Sequence, residues 1–135
     1  MKGGVGMDRI ERICETTKVI TSPVVTENGT IYFSCHDGKI YRFRDGTMGP
    51  IFQFGGQANG LVIDSNNISY VTDVAHQSIM SKRIDDKTDE VSYLIKDFEG
   101  EPLLGPHSLV IRKSCSFFIR GINFYRFRTF WRYFL

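Results

Sequence analysis

The sequence predicts an all-β fold built from a repeated unit of four strands. The first observation is a self-similarity at a spacing of 38 residues, which places residues 21–34 over residues 59–72. The matching pairs are Asn28 with Asn66, Tyr32 with Tyr70, Phe33 with Val71, and Ser34 with Thr72. A third, partial copy begins at Gly105 and overlays residues 57–63 at a spacing of 48. The chain therefore repeats one structural unit.

The second observation is the alternation of short apolar runs with turn sequences inside each copy. A copy starts with a β-branched run, turns at residues such as Asn and Gly, and returns through a second apolar run, as a hairpin does. The strands expected in the first copy are Val24-Val25 and residues 30–33, 39–43 and 51–54. The strands expected in the second copy are residues 61–63, 68–71, 78–80 and 92–95.

A four-stranded unit that recurs about every 40 residues is typical of the blades of a β-propeller, whose sheets pack radially, face against face. We therefore predict a partial β-propeller of two to three four-stranded blades with an atypical C-terminal tail. The expected divisions are a lead-in at residues 1–17, blades within residues 18–111 (18–57, 58–104 and a third from 105), and a divergent tail at residues 112–135.

The lead-in keeps two interpretations open. Ile10 and Ile13 have helical spacing within residues 7–17, which favours a short helix. The same residues also suit a strand left over from a preceding blade.

Charge and cysteine usage narrow the class of protein. Residues 1–111 hold 11 Lys and Arg against all 15 acidic groups, a net charge of −4, whereas the other 6 basic residues all lie in residues 112–135.

The three cysteines are far apart, odd in number and without a C-x-x-C pair, which favours reduced thiols over a disulfide with one spare thiol. No secretory signal or long uncharged apolar run is visible, so we expect a cytoplasmic protein.

The tail has a composition unlike the blades. From Arg112 onward it combines nine aromatic with six basic residues and no acidic residue. We favour a replaced C-terminus, as from an alternative exon or a truncated gene. Weak contact of residues 121–135 with an acidic membrane surface is a second interpretation. Stacking on single-stranded nucleic acid is a third, and we expect no nucleic acid partner.

Residues 56–79 resemble an NHL-type repeat, whose pattern is Pro-x-Gly, three apolar residues and Asp, then a turn with Asn, an apolar position, Tyr-Val-x-Asp, a polar loop and Ile. The matching positions are Gly60, Leu61, Val62, Ile63, Asp64, Asn67, Ser69, Tyr70, Val71, Asp73 and Ile79. Asn59-Gly60-Leu61 and residues 105–109 also resemble the six-bladed propellers of the regucalcin, gluconolactonase and strictosidine-synthase-like group. The resemblance covers residues 18–111, and it is specific for architecture rather than for activity.

In lactonases of that group a divalent cation, of the calcium type, lies at the mouth of the channel. The resemblance places its ligand positions at Thr21, Asn59 and His107, where the group has Glu, Asn and Asp, so only Asn59 matches. Hard cations need anionic oxygen ligands, and the loss of both carboxylates removes most of the attraction. Asn59 and His107 stay the candidates for contact with a metal or another ligand. Asp64 and Asp73 are expected to have structural roles in a turn and a loop.

We therefore predict a non-catalytic binding module that is a truncated form of a larger propeller protein. The alternative is a fragment of a metal-dependent lactonase or esterase. Propellers close with about four to eight blades. An open array leaves faces and edges uncovered, and leaving several hundred Å² of apolar surface exposed forfeits on the order of 10 kcal/mol. We expect a protein partner or self-association to cover these edges.

Overall fold

The computed structural model describes residues 9–112, 116–123 and 126–134, with the side chains of residues 9–97 and 99–111. The regular structure within these ranges consists of β-strands. None of these residues forms a helix long and apolar enough to cross a membrane.

The strands form two complete four-stranded sheets and a third sheet with three described strands. The first sheet contains β1 (Ile20–Val25), β2 (Ile31–Cys35), β3 (Lys39–Arg44) and β4 (Thr47–Gln53). The second contains β5 (Ala58–Ile63), β6 (Ile68–Asp73), β7 (Ser78–Arg83) and β8 (Ser92–Ile95). A short ribbon of β9 (Asp97–Phe98) and β10 (Glu101–Pro102) leads to the third sheet, which contains β11 (Pro106–Arg112), β12 (Ser116–Asn123) and β13 (Arg126–Phe134).

Each sheet is an antiparallel meander in which strands that follow one another in sequence are hydrogen-bonded neighbours. The second and third sheets have the same topology. The predicted all-β fold class, a partial propeller of two to three blades, is confirmed.

The first hairpins of the two complete sheets turn in the same way, as the sequence repeat predicts. Thr26 N donates to Thr30 O at 3.0 Å, and Asp64 N donates to Ile68 O at 3.0 Å. The left-handed position of the turn is Gly29 in one hairpin, with a φ of 80°, and Asn67 in the other, with a φ of 60°. Both are residue types that tolerate this conformation.

The hydrophobic core consists of two layers, each between neighbouring sheets. Side chains alternate between the faces of a strand, so each sheet sends one set of apolar residues to either side. The first cluster consists of Tyr32, Ile40, Phe54, Ala58, Leu61, Val71 and Met80, and the second of Tyr70, Ile79, Ile95, Leu103 and Leu109. Tyr32 and Tyr70, which are equivalent in the repeat, lie on the same side of their respective sheets.

The segment before the first sheet differs from both interpretations of the sequence. Residues 9–19 form neither a helix nor a strand. Ile10 is fully exposed and Ile13 is 52% exposed, so the apolar pair has no surface to pack against. A helix this short is not stable in water without such packing.

The C-terminal segment contributes β12 and β13, which continue the third sheet from β11. The side chains of residues 112–135, including Cys115 and the aromatic and basic groups, lie outside the described residues. Contact of residues 121–135 with a membrane surface therefore stays a prediction. The divisions at residues 17, 57, 104 and 111 also stay predictions.

The first and second sheets approach each other closely at two glycines. A Cβ at Gly38 would lie 2.5 Å from the carbonyl oxygen of Gly56. A Cβ at Gly56 would in turn lie well under 3.0 Å from both carboxylate oxygens of the buried Asp73. The backbone at Gly56 is therefore held between the turn after β2 and the end of β6.

We expect Gly56→Ala to lower the free energy of unfolding by about 2 kcal/mol or more, because neither the backbone nor the buried carboxylate can give way without strain. Urea denaturation measures the change. Gly49→Ala is the matched control, since a Cβ there would meet no atom within 4 Å. Equal stability of the two variants would contradict the close packing at Gly56.

Candidate functional site

The three positions that the resemblance relates to a metal site lie on the first strands of the three sheets. Thr21 is in β1, Asn59 in β5 and His107 in β11. These strands are neighbours, because Gly60 of β5 packs against the backbone of β11. A Cβ at Gly60 would lie 2.9 Å from His107 O and 3.1 Å from Leu109 N. The structure thus brings the backbones around Asn59 and His107 together.

Asn59 is 5% exposed, and its backbone carbonyl is the acceptor of two hydroxyl groups from the first sheet. Thr21 Oγ1 donates to it at 2.9 Å, and Ser34 Oγ makes a shorter hydrogen bond to the same oxygen. The two hydroxyl oxygens also lie 2.8 Å from each other. The hydroxyl of Thr21 therefore joins the first and second sheets.

The backbone carbonyl of His107, one sheet further along the chain, has the same kind of hydrogen-bond partner as the carbonyl of Asn59. Thr72 Oγ1, equivalent to Ser34 Oγ in the repeat, donates to His107 O at 3.1 Å and accepts a hydrogen bond from Gly60 N at 2.6 Å. The imidazole is exposed, with Nδ1 at 3.2 Å from Ser108 Oγ. A hydroxyl on the second strand of one sheet thus binds the first strand of the next sheet in both cases.

The chemistry of these positions does not fit a hard divalent cation. Thr21, Asn59 and His107 supply a hydroxyl, an amide and an imidazole, none of which carries negative charge. Within the described ranges no three His, Cys, Asp or Glu side chains lie close enough together to hold a metal ion. Calcium is bound through several oxygen ligands with carboxylates among them, and this set lacks them.

Asp73 lies at the end of β6 and is fully buried. Its carboxylate accepts hydrogen bonds from Gln57 N at 3.2 Å and His76 N at 3.0 Å. His76 Nδ1 lies 3.0 Å from the other carboxylate oxygen. Asp73 therefore ties the segment before β5 to the loop after β6.

Sequence reasoning did not identify the pairing of His76 with Asp73. The imidazole is 36% exposed, so it is only partly in solvent. The ring also makes an edge contact with Tyr93, with centroids 6.1 Å apart. An Asp three residues before a His, at a strand end, is the signal that indicates such a pair.

Asp64 lies directly after β5, in the turn that leads to β6. One carboxylate oxygen accepts hydrogen bonds from Asn66 N at 2.8 Å and Ile68 N at 2.9 Å. The other accepts a hydrogen bond from Tyr70 Oη at 2.9 Å. The carboxylate is thus used within its own hairpin, in the manner of an Asx turn.

Lys82 is a buried cation that sequence reasoning did not identify. Its side chain is 1% exposed, and Nζ donates to Thr88 O at 2.6 Å, Glu90 O at 2.8 Å and Asp86 Oδ2 at 3.3 Å. The ammonium also lies 5.8 Å from the centroid of the Phe52 ring. Lys82 therefore stabilises the loop between β7 and β8. Its position in the strand does not indicate this role from the sequence.

Cys35 and Asp37 lie at the turn between β2 and β3. Burial raises the pKa of the Cys35 thiol. Partial burial also raises the pKa of Asp37, but hydrogen bonds from Lys39 N and Tyr41 Oη outweigh it, so the pKa of Asp37 lies below its ordinary value. Cys35 occupies the position that Asp73 holds in the second sheet.

No family model matches the sequence, and no curated protein is detectably similar to it. Solved structures do match. A protein described as a gluconolactonase superposes with a TM-score of 0.70 at 16% identity, over 82% of this chain and 39% of its own. A gluconolactonase from Xanthomonas campestris superposes with a TM-score of 0.71 at 17% identity, over 81% of this chain and 37% of its own.

The computationally designed Ika4 protein gives a TM-score of 0.51 at 14% identity, over 83% of this chain and 64% of its own. At these identities the likeness establishes the fold alone. The protein thus has the fold of part of a gluconolactonase-like β-propeller, and it spans less than two fifths of the length of the two gluconolactonases. The NHL-type repeat and the six-bladed architecture of a complete propeller stay predictions.

Thr72→Val tests the hydroxyl bridge between the second and third sheets. We expect it to lower the free energy of unfolding by about 2 kcal/mol, because Gly60 N and His107 O both lose a buried partner. Thermal or urea denaturation measures the loss. Thr47→Val, at an exposed position in β4, is the control and should change stability little. A neutral Thr72→Val would show that the bridge is not stabilising.

The pKa of Asp37 predicts an acid-labile contribution to stability. A carboxyl whose folded pKa lies below its ordinary value near 3.8 stabilises the fold above that value, and the contribution is lost as the pH falls through the folded pKa. We expect Asp37→Asn to flatten the fall in stability below pH 3.8. Urea midpoints measured across that range check this, with Asp45→Asn, whose partner Arg44 is exposed, as the control.

Proposed function

We propose that the protein is a non-catalytic binding module of the β-propeller type. The observation that supports this most is the character of the three first-strand positions. Where the lactonase resemblance requires two carboxylates and an amide, the chain has Thr21, Asn59 and His107. The hydroxyl of Thr21 is already used in hydrogen bonds between sheets.

The alternative is that the chain is a fragment of a metal-dependent lactonase or esterase. Such a reaction needs a cation that polarises the substrate carbonyl or lowers the pKa of a bound water. Asn59 and His107 alone offer two neutral donors, and the carboxylates of Asp64 and Asp73 are each engaged by three hydrogen-bonding groups. The binding module therefore has the stronger support.

A reducing, cytoplasmic environment is part of the proposal. Cys14 and Cys35 are both unpaired, and Cys35 is fully buried. A buried thiol behaves as a small apolar side chain and needs no oxidising compartment. Mass spectrometry of alkylated protein from cells would test this, and a disulfide in the native protein would contradict it.

The decisive experiment compares cation binding and hydrolysis in one preparation. We expect calcium, zinc or manganese salts to leave the melting temperature unchanged, and simple lactones and esters to hydrolyse no faster than in buffer. The matched variants are Asn59→Ala and Asn66→Ala, since Asn66 lies in the exposed turn. A cation-dependent rise in melting temperature that Asn59→Ala abolishes and Asn66→Ala retains would establish the hydrolase alternative instead.

A variant designed to gain calcium binding tests the proposal further. His107→Asp places a carboxylate at an exposed position where the resemblance has one, and it should fold because the imidazole is not part of the core. We expect weak calcium binding to appear in His107→Asp, as a rise in melting temperature, while the parent chain shows none. Binding of equal strength in both chains would mean that the donors already present suffice.

A further inference from the structure

The hairpin between β3 and β4 is fixed by a two-residue turn. Asp45 and Gly46 have positive φ angles of 50° and 76°, as the two central residues of a type I′ turn do. This type of turn matches the twist of the flanking strands and sets their register, so Arg44 lies directly opposite Thr47. The side chains that follow along both strands are therefore held at defined positions.

Arg42 and Arg44 lie on one face of β3, because side chains two residues apart on a strand point the same way. Their Cα atoms are about 6.6 Å apart at the usual rise of a strand. Ile40, on the same face, is fully buried in the first core cluster, whereas both arginines are exposed. The arginines therefore lie where this face leaves the core and reaches solvent.

Gly49, directly opposite Arg42, leaves an opening beside the arginines. A glycine weakens a strand, and its usual reasons are a left-handed backbone, a bulge, or the close approach of another backbone or a ligand. The φ angle of Gly49 is not positive, and a Cβ there would meet no atom within 4 Å. The bulge of this ladder lies further along β3, between Ile40 and Tyr41. The approach of a ligand is the reason that remains.

The opening belongs to a cleft of about 370 Å³ on the hairpin. Besides the two arginines and Gly49, the lining includes Asp45, Thr47 and the apolar residues Pro50 and Ile51. A volume of this size lies at the lower end of the range that small-molecule sites occupy. The cleft therefore suits a small ligand with one anionic group.

The donors of the cleft are not used within the described part of the chain. Neither guanidinium donates a hydrogen bond to another described residue, and Arg42 has no ion-pair partner there. Arg44 Nε lies 3.5 Å from Asp45 Oδ2, and this carboxylate is 91% exposed, so the contact is weak. Arg83, the equivalent of Arg44 in the second sheet, is different, because Nε and Nη2 donate to Asp85 at 3.0 Å and 3.2 Å. Only the cleft offers two uncommitted guanidinium groups on one face.

We propose that this cleft binds the phosphate group of a small, soluble phosphate monoester. Guanidinium groups bind phosphate oxygens through paired hydrogen bonds, and two of them share the nearly double negative charge of a monoester. The Thr47 hydroxyl is a further donor, and Pro50 and Ile51 offer apolar surface to the carbon atoms of the ligand. A carboxylate carries a single charge and requires only one guanidinium.

The site lies on β3 and β4, whereas Asn59 and His107 lie on the first strands of the second and third sheets. The inference therefore goes beyond the proposed function and does not depend on it.

Titration of the 135-residue protein with glycerol 3-phosphate at low ionic strength tests the proposal. NMR follows the backbone amide of Gly49 and the side-chain Nε–H groups of Arg42 and Arg44. We expect saturable shifts of these signals, and inorganic phosphate should compete because it carries the same group. Acetate should bind about tenfold more weakly or less, since it carries one charge, and glycerol should cause no shift.

Four variants test the roles of the individual residues. Arg42→Gln and Arg44→Gln should each weaken binding about tenfold or more. Gly49→Val should abolish binding, because a β-branched side chain suits a strand but fills the opening. Asp45→Asn should strengthen binding about two- to fivefold, because it removes the carboxylate that competes for Arg44. The amide spectrum of each variant shows that it is folded.

Arg83→Gln is the matched control, since it removes an arginine from the equivalent strand position and leaves the cleft intact. It should not change the titration. Absence of saturable shifts, equal binding of acetate, equal weakening by Arg83→Gln, or binding retained by a folded Gly49→Val would overturn the proposal. Binding to vesicles that contain phosphatidic acid, without binding to glycerol 3-phosphate, would also overturn it, because the ligand would then be a lipid. Failure of the proposed binding function would instead show as cation binding or hydrolysis in the comparison with Asn59→Ala, which does not involve the cleft.

Discussion

The described structure depends on one constraint, which is that its second sheet has two apolar faces. A sheet with one wet face needs a single partner, whereas a sheet that is apolar on both sides must be covered twice. The second sheet meets this requirement, because Val71 and Met80 face one cluster while Tyr70 and Ile79 face the other. The array of sheets, the tight glycine contacts and the hydroxyl bridges all follow from stacking sheets in this way.

The hydroxyl bridges keep the stacked sheets in register at their first strands. Apolar packing alone is non-directional. Ser34 and Thr72 add a directional contact, since each hydroxyl reaches a backbone carbonyl on the first strand of the next sheet. Gly60 allows the close approach that the second bridge requires. These contacts fix the first strands relative to one another without using a charged group.

Much of the fold could be predicted from the sequence, because strands and hairpins are encoded locally. The strands and their order can be identified from the equivalence of Tyr32 and Tyr70 in the repeat and from the turns at Gly29 and Asn67. The segment around Ile10 could not be predicted, since its helical spacing has meaning only if a surface is present to receive it. The packing of the rest of the fold, and not the local spacing, determines the conformation of that segment.

The candidate site was less predictable than the fold. The sequence indicates that Asn59 and His107 occupy related positions, but it does not show that Asn59 is buried while the imidazole of His107 is exposed. Side-chain partners across a loop depend on distances that neither composition nor spacing encodes.

The burial of Lys82 has a practical consequence for handling the molecule. Its ammonium is enclosed by the loop it holds, whereas Lys87 within the same loop is exposed. A protease specific for basic residues can cut after Lys87 in the native protein, but it reaches Lys82 only when the sheet itself comes apart. The ratio of the product cut after Lys87 to the product cut after Lys82 therefore distinguishes local opening of the loop from unfolding of the sheet.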